Sequence, residues 1–289
     1  MKILYFDCSS GISGNMALGA LTEIIGDNNY LINELKKLNV DGYKIEISKK
    51  IKNGITGTYV DVILEHEHHH DHEHEEHEHY HEHHHHEHRN LDDVNKIIDE
   101  SSLNDDVKNL AKRIFLRVAK AESKVHNKPL NEVHFHEVGA IDSIVDIVGT
   151  AILIKKINPN KIISSVVNDG YGFIECAHGI MSVPVPATSE IFAGASVKFR
   201  QIDVDTELVT PTGAAIIAEL ADEFTTLPVM TTEKIGWGAG YKDLKIPNIL
   251  KVYYGDMEKP NENFVIMETN VDDCSGEILG YTCEKLFQN

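Results

Sequence analysis

Apolar positions in the first part of the chain follow two spacings. A continuous apolar run predicts a buried strand over residues 3–7, and helical spacing after a glycine-containing loop predicts a helix over 16–25. Alternation of apolar and polar residues over 43–51 and 58–64, around an Asn-Gly pair, predicts two antiparallel strands joined by a turn. The chain therefore begins with a strand, a loop and a helix, followed by a hairpin.

The same two spacings continue through the rest of the chain. Helices are predicted at 30–38, 91–100, 105–125, from about 137, at 187–192 and at 213–224, and strands at 162–167, 179–185, 197–202, 249–254 and 264–268. This mixture predicts an α+β fold, a mixed α/β sandwich. We expect residues 1–64 and 91–262 to form one N-terminal domain, and residues 263–289 to open a C-terminal module.

The segment 65–90 interrupts this pattern with histidines and carboxylates. Fourteen of the eighteen histidines lie between His66 and His88. The segment has almost no apolar residue, so burial cannot offset its ordering entropy, and we predict a disordered surface insertion. Neutral imidazole binds Ni²⁺, Zn²⁺ and Cu²⁺ without selecting among them. The run predicts metal storage or delivery; the alternative is a polar linker that binds metal incidentally. The predicted ligands include the clustered residues His68, His69, His70, His83, His84, His85 and His86.

Charge and composition restrict the partners. The net charge is −19, of which segment 66–88 contributes −8 through seven Glu and one Asp, leaving −11 elsewhere. Such acidity disfavours nucleic acid and anionic membranes as binding partners and favours the binding of cations. No apolar stretch approaches the roughly 20 residues that a membrane helix needs, and no secretory signal is visible. The four cysteines are widely separated without a Cys-x-x-Cys pair. These features predict a cytoplasmic, soluble protein.

A second candidate for metal chemistry is the segment HFHEVGAIDSIVD. His134 and His136 point the same way if extended, while Asp142 and Asp146 share one face of an otherwise apolar helix. An unpaired carboxylate there is costly, so a cation or basic partner is expected. Glu137 is a candidate base or a residue that orients an imidazole. The alternative assigns the aspartates to a helix surface and His134 to the core.

Two loops are candidates for phosphate binding. Ser10, Gly11, Ser13 and Gly14 lie between a strand and a helix, where backbone N–H groups and the helix N-terminus can hold an anion, and Asp7 at the strand end could hold a metal. The loop lacks the Gly-Lys-Ser/Thr of a Walker motif, and an ordinary glycine-rich turn is the alternative.

The second loop, VTPTGAA, combines Thr210, Thr212 and Gly213, with Thr212 as the predicted helix cap. Plain capping is the alternative to anion binding. The glycine cluster GWGAG predicts either close backbone approach to a ligand or a turn. His178 lies between predicted strands and is a candidate ligand or acid–base group, with a structural histidine as the alternative.

Six motifs, in the same order, resemble those of the LarC family of nickel-pincer cofactor biosynthesis. They are DCSSGISGNM, HFHEVGAIDSIVDIVG, HGIMSVPVPAT, ELVTPTGAA, GWGAGYKD and ETNVDD. The resemblance spans most of residues 3–273 and includes the histidine-rich tract. It implies insertion of Ni²⁺ into pyridinium-3,5-bisthiocarboxylic acid mononucleotide, forming nickel–sulfur and nickel–carbon bonds. It also implies CTP hydrolysis, with Mg²⁺ or Mn²⁺, through the C-terminal module. The product serves lactate racemase and related nickel-pincer enzymes.

The sequence departs from the family pattern twice. Asn15 stands where similar sequences have Asp, which removes one carboxylate, and the chain contains only the opening of the family's C-terminal module. The resemblance therefore implies a separate or full-length C-terminal module as partner, and an oligomer. A nickel-inserting lyase is the leading hypothesis. The alternatives are a non-catalytic nickel store or metallochaperone, and a phosphotransfer enzyme in which the tract has no function.

Overall fold

A computed structural model describes residues 1–64, 89–133, 135, 140–176, 179–258, 268 and 270–287. These residues form two compact units, Met1–Met257 and Glu258–Asn289. Residues 65–88 of the predicted insertion, the predicted ligands within them, and the residues His134, His136, Glu137 and His178 lie outside the described residues. The last two residues of the predicted insertion, Arg89 and Asn90, are described, and Asn90 caps the helix that follows, so the prediction of disorder is wrong for Asn90.

Eleven strands are present in the described part of the chain. They are β1 (Lys2–Asp7), β2 (Tyr43–Lys52), β3 (Ile55–Leu64), β4 (Lys161–Ser164), β5 (Val167–Asp169), β6 (Phe173–Cys176), β7 (Gly179–Ser182), β8 (Phe199–Gln201), β9 (Glu223–Phe224), β10 (Met230–Ala239) and β11 (Ile249–Met257). The predicted hairpin is confirmed, because β2 and β3 pair antiparallel over their full length. Positive φ angles at Asn53 and Gly54 form the tight turn between them.

Eight α-helices accompany the strands in the described ranges. They are α1 (Gly14–Ile25), α2 (Asn28–Leu35), α3 (Leu91–Glu100), α4 (Asp105–His126), α5 (Ile141–Ile157), α6 (Pro186–Gly194), α7 (Pro211–Leu220) and α8 (Gly276–Phe287). Local sequence explains several starts: the side chains of Asp27, Asn90 and Asn104 accept hydrogen bonds from the first turns of α2, α3 and α4.

Seven strands form one mixed sheet in the order β2-β3-β10-β11-β1-β4-β9. Strand β1, next to the central strand β11, pairs antiparallel with β11 and parallel with β4. Two smaller sheets pair β5 with β8 and β6 with β7. The predicted mixed α+β architecture is confirmed.

The alternation within β1 separates two apolar clusters. Leu4 and Phe6 belong to the main core, which includes buried residues of α1, α4, α5 and α7, whereas Ile3 and Tyr5 belong to a second, smaller cluster. Successive side chains of a strand point to opposite faces, so the helices cover one face of the sheet. α5 lies between α1 and α4, which makes it the centre of the helical layer.

Four residues of the glycine cluster GWGAG lie at the end of strand β10 and not in a turn, and the last, Gly240, follows the strand. A Cβ atom on Gly236 would lie 1.9 Å from the carbonyl oxygen of Ala20, and one on Gly238 would lie 1.9 Å from that of Met16. The close backbone approach predicted from these glycines therefore occurs, but the neighbour is helix α1 and not a ligand. Glycine is needed because the backbones of strand and helix touch.

Three predicted boundaries need correction. The helix predicted for 213–224 ends at Leu220, and Phe224 lies in strand β9. The strand predicted for 162–167 is divided after Ser164, where serine hydroxyls bond to nearby carbonyls and compete with the strand ladder. The helix predicted from about 137 begins at Ile141. Of the strand predicted at 264–268, only Glu268 is described, and it is not in a strand.

The four cysteines are free thiols, as their separation in the sequence predicts. No helix in the described ranges combines the length and apolar character needed to cross a membrane.

Candidate functional site

The loops that precede α1 and α7 lie side by side. The N–H of Ile12 donates to the carbonyl of Leu208 (3.1 Å), and the N–H of Thr210 donates to the carbonyl of Ile12 (3.3 Å). This short parallel bridge joins Ile12 with Val209. The two candidate phosphate loops of the sequence are thus brought together, with the helices starting next to each other.

A buried carboxylate holds the second loop in place. Asp169 is fully buried, and its Oδ1 accepts hydrogen bonds from the backbone N–H groups of Gly170 (2.8 Å), Leu208 (2.8 Å) and Val209 (3.2 Å). Burial raises its pKa, while these N–H groups and the charge of Lys242 act in the opposite direction. Asp169 is therefore a positioning residue that the sequence did not single out, since its contacts lie about forty positions away along the chain.

The two helix N-termini differ in their capping. The hydroxyl of Thr210 accepts from the N–H of Gly213 (3.2 Å) and caps α7. The prediction that Thr212 caps this helix is wrong. Because Pro211 begins the helix, Thr212 lies inside the first turn, where it is buried. No side chain in the described ranges caps α1, because the Ser13 hydroxyl donates to Asn15 Oδ1 instead (2.6 Å). The first N–H groups of α1 are therefore available to an anion.

Asp146 lies against the start of α1. A Cβ atom on Gly14 would lie 2.2 Å from Asp146 Oδ2, so only glycine allows this approach of α5 to α1. The Asp146 Oδ1 atom is buried and has no hydrogen-bond partner among the described residues. Desolvation raises the pKa of Asp146 well above 3.8, and the charge of Asp142 raises it further. None of the described residues provides a cation within salt-bridge distance of this carboxyl group to stabilise its ionised form.

The neighbouring Asp142 is one turn earlier on α5, as the helical spacing predicts. It is exposed, and its Oδ1 accepts from the N–H of Ser143 (2.7 Å). Within the described ranges no three His, Cys, Asp or Glu side chains converge in a way that could hold a metal ion. The metal set His134, His136, Asp142 and Asp146 stays a prediction. Between the two histidines, Phe135 is buried and its N–H bonds to the carbonyl of Arg89 (2.9 Å).

The remaining predicted residues fall into two groups. Gly11 and Gly14 are buried, as are Thr212 and Gly213, whereas Ser10, Ser13 and Thr210 keep partial exposure near the helix starts. Asp7 forms an ion pair with Lys251 and accepts a hydrogen bond from the N–H of Ser9 (3.1 Å). Its charge is thus matched within the fold, and its role as a metal ligand stays a prediction.

Lys50, Tyr59 and Tyr241 form a cluster, called the rim below, on the β2–β3 hairpin and the loop after β10. The sequence did not single them out. Lys50 Nζ lies 3.2 Å from the ring centroid of Tyr59 and 6.0 Å from that of Tyr241. Burial raises the pKa of Tyr59 to about 12, and the charges of Asp61 and Asp146 contribute to this rise. The hairpin register offered a signal: Lys50 pairs with Gly57, which makes Tyr59 its diagonal neighbour.

The loop after β10 connects this rim to the helix starts. The buried ammonium of Lys52 donates to the carbonyl of Tyr241 (2.9 Å) and pairs with Asp243 (2.5 Å). Lys242 donates to the Thr206 hydroxyl (2.9 Å) and to the Glu207 carbonyl (3.1 Å), just before the α7 loop. Tyr241 is therefore held between the hairpin and the loop preceding α7.

Fold and site together define an α+β protein in which the start of α1 lies beside Asp146, whose Oδ1 atom is buried, and the described residues provide neither a side-chain cap for α1 nor a hydrogen-bond partner for that atom. The first feature attracts an anion and the second a cation. Comparison with known proteins shows that the chain belongs to the nickel insertion protein family, whose model matches residues 4–289.

Named relatives support this membership. The chain is similar to the pyridinium-3,5-bisthiocarboxylic acid mononucleotide nickel insertion protein of Acetivibrio thermocellus, with 49% identity over 292 residues, covering 100% of this chain and 70% of the relative. The protein of the same name from Clostridium acetobutylicum is 52% identical over 306 residues, covering 100% of this chain and 72% of that protein. A putative nickel insertion protein of Dictyoglomus thermophilum is 46% identical over 290 residues, covering 100% and 70%. No solved structure matches the chain.

Proposed function

We propose that this chain inserts Ni²⁺ into pyridinium-3,5-bisthiocarboxylic acid mononucleotide, as a nickel-inserting lyase. The observation that carries the proposal is the buried Oδ1 of Asp146 next to the start of α1, with no hydrogen-bond partner for that atom and no side-chain cap for α1 among the described residues. The relatives' name supplies a substrate with matching chemistry: a nucleotide phosphate for the helix N-terminus, and two thiocarboxylates that bind a borderline metal through sulfur.

In this proposal the phosphate binds the N–H groups at the start of α1, near the hydroxyls of Ser10, Ser13 and Thr210. Ni²⁺ approaches Asp146, whose ionised form is stabilised once a cation replaces the proton. Asp142, one turn away, adds a second carboxylate. Further ligands come from His134 and His136, and from the sulfur atoms of the substrate.

Formation of a nickel–carbon bond releases a proton from the pyridinium ring, so a base must accept it. Glu137 and His178 are the candidates, because each is an acid–base group within a family motif: Glu137 in HFHEVGAIDSIVDIVG and His178 in HGIMSVPVPAT. We assign the CTP-dependent step, with Mg²⁺ or Mn²⁺, to the C-terminal module. The support from the relatives is a comparison of lengths: the chain covers 70% of the relative from Acetivibrio thermocellus.

The direct test incubates the purified chain with Ni²⁺, the mononucleotide and CTP, with and without a C-terminal module supplied from a relative, and detects the nickelated product by mass. We expect Asp146→Asn to reduce product formation at least about a hundredfold, because removal of a charged group from a metal site removes several kcal/mol of stabilisation. The matched control is Asp106→Asn, since Asp106 is an aspartate on helix α4 with a 74% exposed side chain. Product at the wild-type rate from Asp146→Asn would refute the role of Asp146.

A nickel store or metallochaperone is the second candidate, and the fourteen histidines between His66 and His88 favour it. A store binds Ni²⁺ without changing the mononucleotide. Absence of product in both reaction mixtures, together with binding of several Ni²⁺ ions per chain, would favour this candidate over the enzyme.

A further inference from the structure

Lys50 differs from the other lysines of strand β2. Lys44 pairs with Glu46 (2.6 Å), Lys49 with Glu23 (3.1 Å) and Lys52 with Asp243 (2.5 Å). Among the described residues Lys50 has no carboxylate within salt-bridge distance, and its ammonium instead lies over the ring of Tyr59. A half-buried ammonium group held by an aromatic face keeps its charge available to an anion.

The two tyrosines around Lys50 differ in accessibility. Tyr59 is 6% exposed and its accessible ring face is covered by the Lys50 ammonium, whereas Tyr241 is 76% exposed. The backbone of Tyr241 is fixed by the hydrogen bond from Lys52, so the exposed ring stands on an ordered loop. Tyr241 thus offers an open aromatic surface next to a lysine that has no salt bridge with any described residue.

This pair lies beside the proposed reaction site. The charge of Asp146 acts on Tyr59, the ring that holds Lys50. Lys242, the residue after Tyr241, bonds to Thr206 and Glu207 in the loop that leads into α7. Strand β3, which carries Tyr59, also contacts both α1 and α5, so the pair adjoins the two helices of the proposed site.

We infer that Lys50 and Tyr241 form the subsite for the pyridinium ring and one of its thiocarboxylates, an inference that rests on the proposed function. A pyridinium ring is a flat cation that stacks on an aromatic face. The ammonium group of Lys50 would repel the positively charged face of the pyridinium ring. A thiocarboxylate at the edge of the pyridinium ring, however, is an anion that an ammonium group binds. The geometry therefore places the pyridinium ring on the side chain of Tyr241, with one thiocarboxylate directed toward the ammonium group of Lys50.

The test measures the dissociation constant of the mononucleotide by calorimetry, with the full chain and without nickel. We expect Lys50→Met to weaken binding about tenfold or more, since a hydrogen-bonded ion pair is lost. We expect Tyr241→Leu to weaken it about threefold, and Tyr241→Phe to leave it unchanged, because only the ring face is used. The matched control is Lys44→Met, on the same strand, which should bind as the wild type does.

A second ligand shows whether Lys50 reads the acid group. The wild type should bind the bisthiocarboxylic acid mononucleotide more tightly than the analogue with two carboxamides, and Lys50→Met should remove this preference. Since Tyr241 is on the surface, Tyr241→Leu tests the inference even if Lys50→Met fails to fold.

The outcomes separate this inference from the proposed function. If the wild type binds the mononucleotide and Lys50→Met and Tyr241→Leu bind it equally well, the subsite is refuted while the proposed function stands. If the folded wild type binds no mononucleotide, both are refuted.

Discussion

At the scale of single residues, Asp146 combines two unfavourable conditions. Its carboxyl group is desolvated and it stands one helical turn from the like charge of Asp142. Both conditions disfavour ionisation, and no described hydrogen bond to Oδ1 compensates. Carboxyl groups with strongly raised pKa values are concentrated at functional sites, where a ligand can supply the missing partner, so Asp146 and not the exposed Asp142 is central to the proposed site.

The raised pKa of Asp146 predicts a pH dependence of stability. Between the ordinary value of 3.8 and the raised folded value, the folded chain holds a proton that the unfolded chain releases. The contribution of Asp146 is therefore fully present below 3.8 and is lost as the pH rises toward the folded pKa. Relative to wild type, Asp146→Asn should gain thermal stability as the pH rises from 4 to 7 in metal-free buffer.

Thermal melts of both proteins across this range measure the difference in Tm. The slope of the difference against pH is the test, because Asn also changes the hydrogen-bonding demand by a constant amount. A constant difference from pH 4 to pH 7 would contradict the raised pKa. Excess Ni²⁺ should stabilise the wild type more than the variant at pH 7.

At the scale of elements, contact between α1 and β10 positions the site. Gly238 lies against the backbone of Met16, two residues after Gly14, so the strand sets the position of the first turn of the helix. The same helix receives Asp146 from α5 on another side. A shift of α1 would therefore move the anion-binding N–H groups and the carboxylate relative to each other.

Gly238→Ala should destabilise the fold because the added Cβ meets backbone atoms: Met16 O at 1.9 Å and Ala20 N at 2.9 Å. We expect a loss of about 3 kcal/mol in the free energy of unfolding, which corresponds to a Tm lower by roughly 6–12 °C. Gly194→Ala is the matched control, since its Cβ would meet nothing within 4 Å. Equal Tm values for the two variants would show that α1 can move away from β10 at little cost.

At the scale of the whole molecule, charge is unevenly distributed along the chain. The net charge is −19, and segment 66–88 carries −8 of it in twenty-three positions that also hold fourteen histidines. An acidic, imidazole-rich segment raises the local concentration of divalent cations without requiring one ordered site. Metal collection and metal insertion can thus reside in different parts of one chain.

Replacement of residues 66–88 by a Gly/Ser linker of equal length tests this division. We expect bound Ni²⁺ to fall from several ions per chain to one or none, measured by elemental analysis after gel filtration. Product formation should be lost at limiting nickel and retained at saturating nickel, because the ordered residues are unchanged. Unaltered product formation at both concentrations would exclude delivery by the tract, whereas loss at both would place essential ligands within it.

Much of the local structure was predictable because short-range chemistry determines it. The spacing of apolar residues predicted β1, α1, α3 and α4 within a few residues, and the Asn-Gly pair predicted the hairpin turn. Family membership also followed from the sequence, since six motifs in fixed order are more specific than any one of them. The distribution of charge and the separation of the cysteines needed no coordinates.

Only the tertiary structure decided which of these residues meet. Periodicity shows that Asp142 and Asp146 share a face of α5, but the meeting of Asp146 with Gly14 depends on how two helices pack across a long stretch of chain. The same holds for GWGAG, which borders a helix and not a ligand, and for Lys50 and Tyr241, which come from different elements. The sequence by itself determined the elements and the family, because those depend on local patterns; the packing determined the site, because burial and proximity arise only when distant segments share one core.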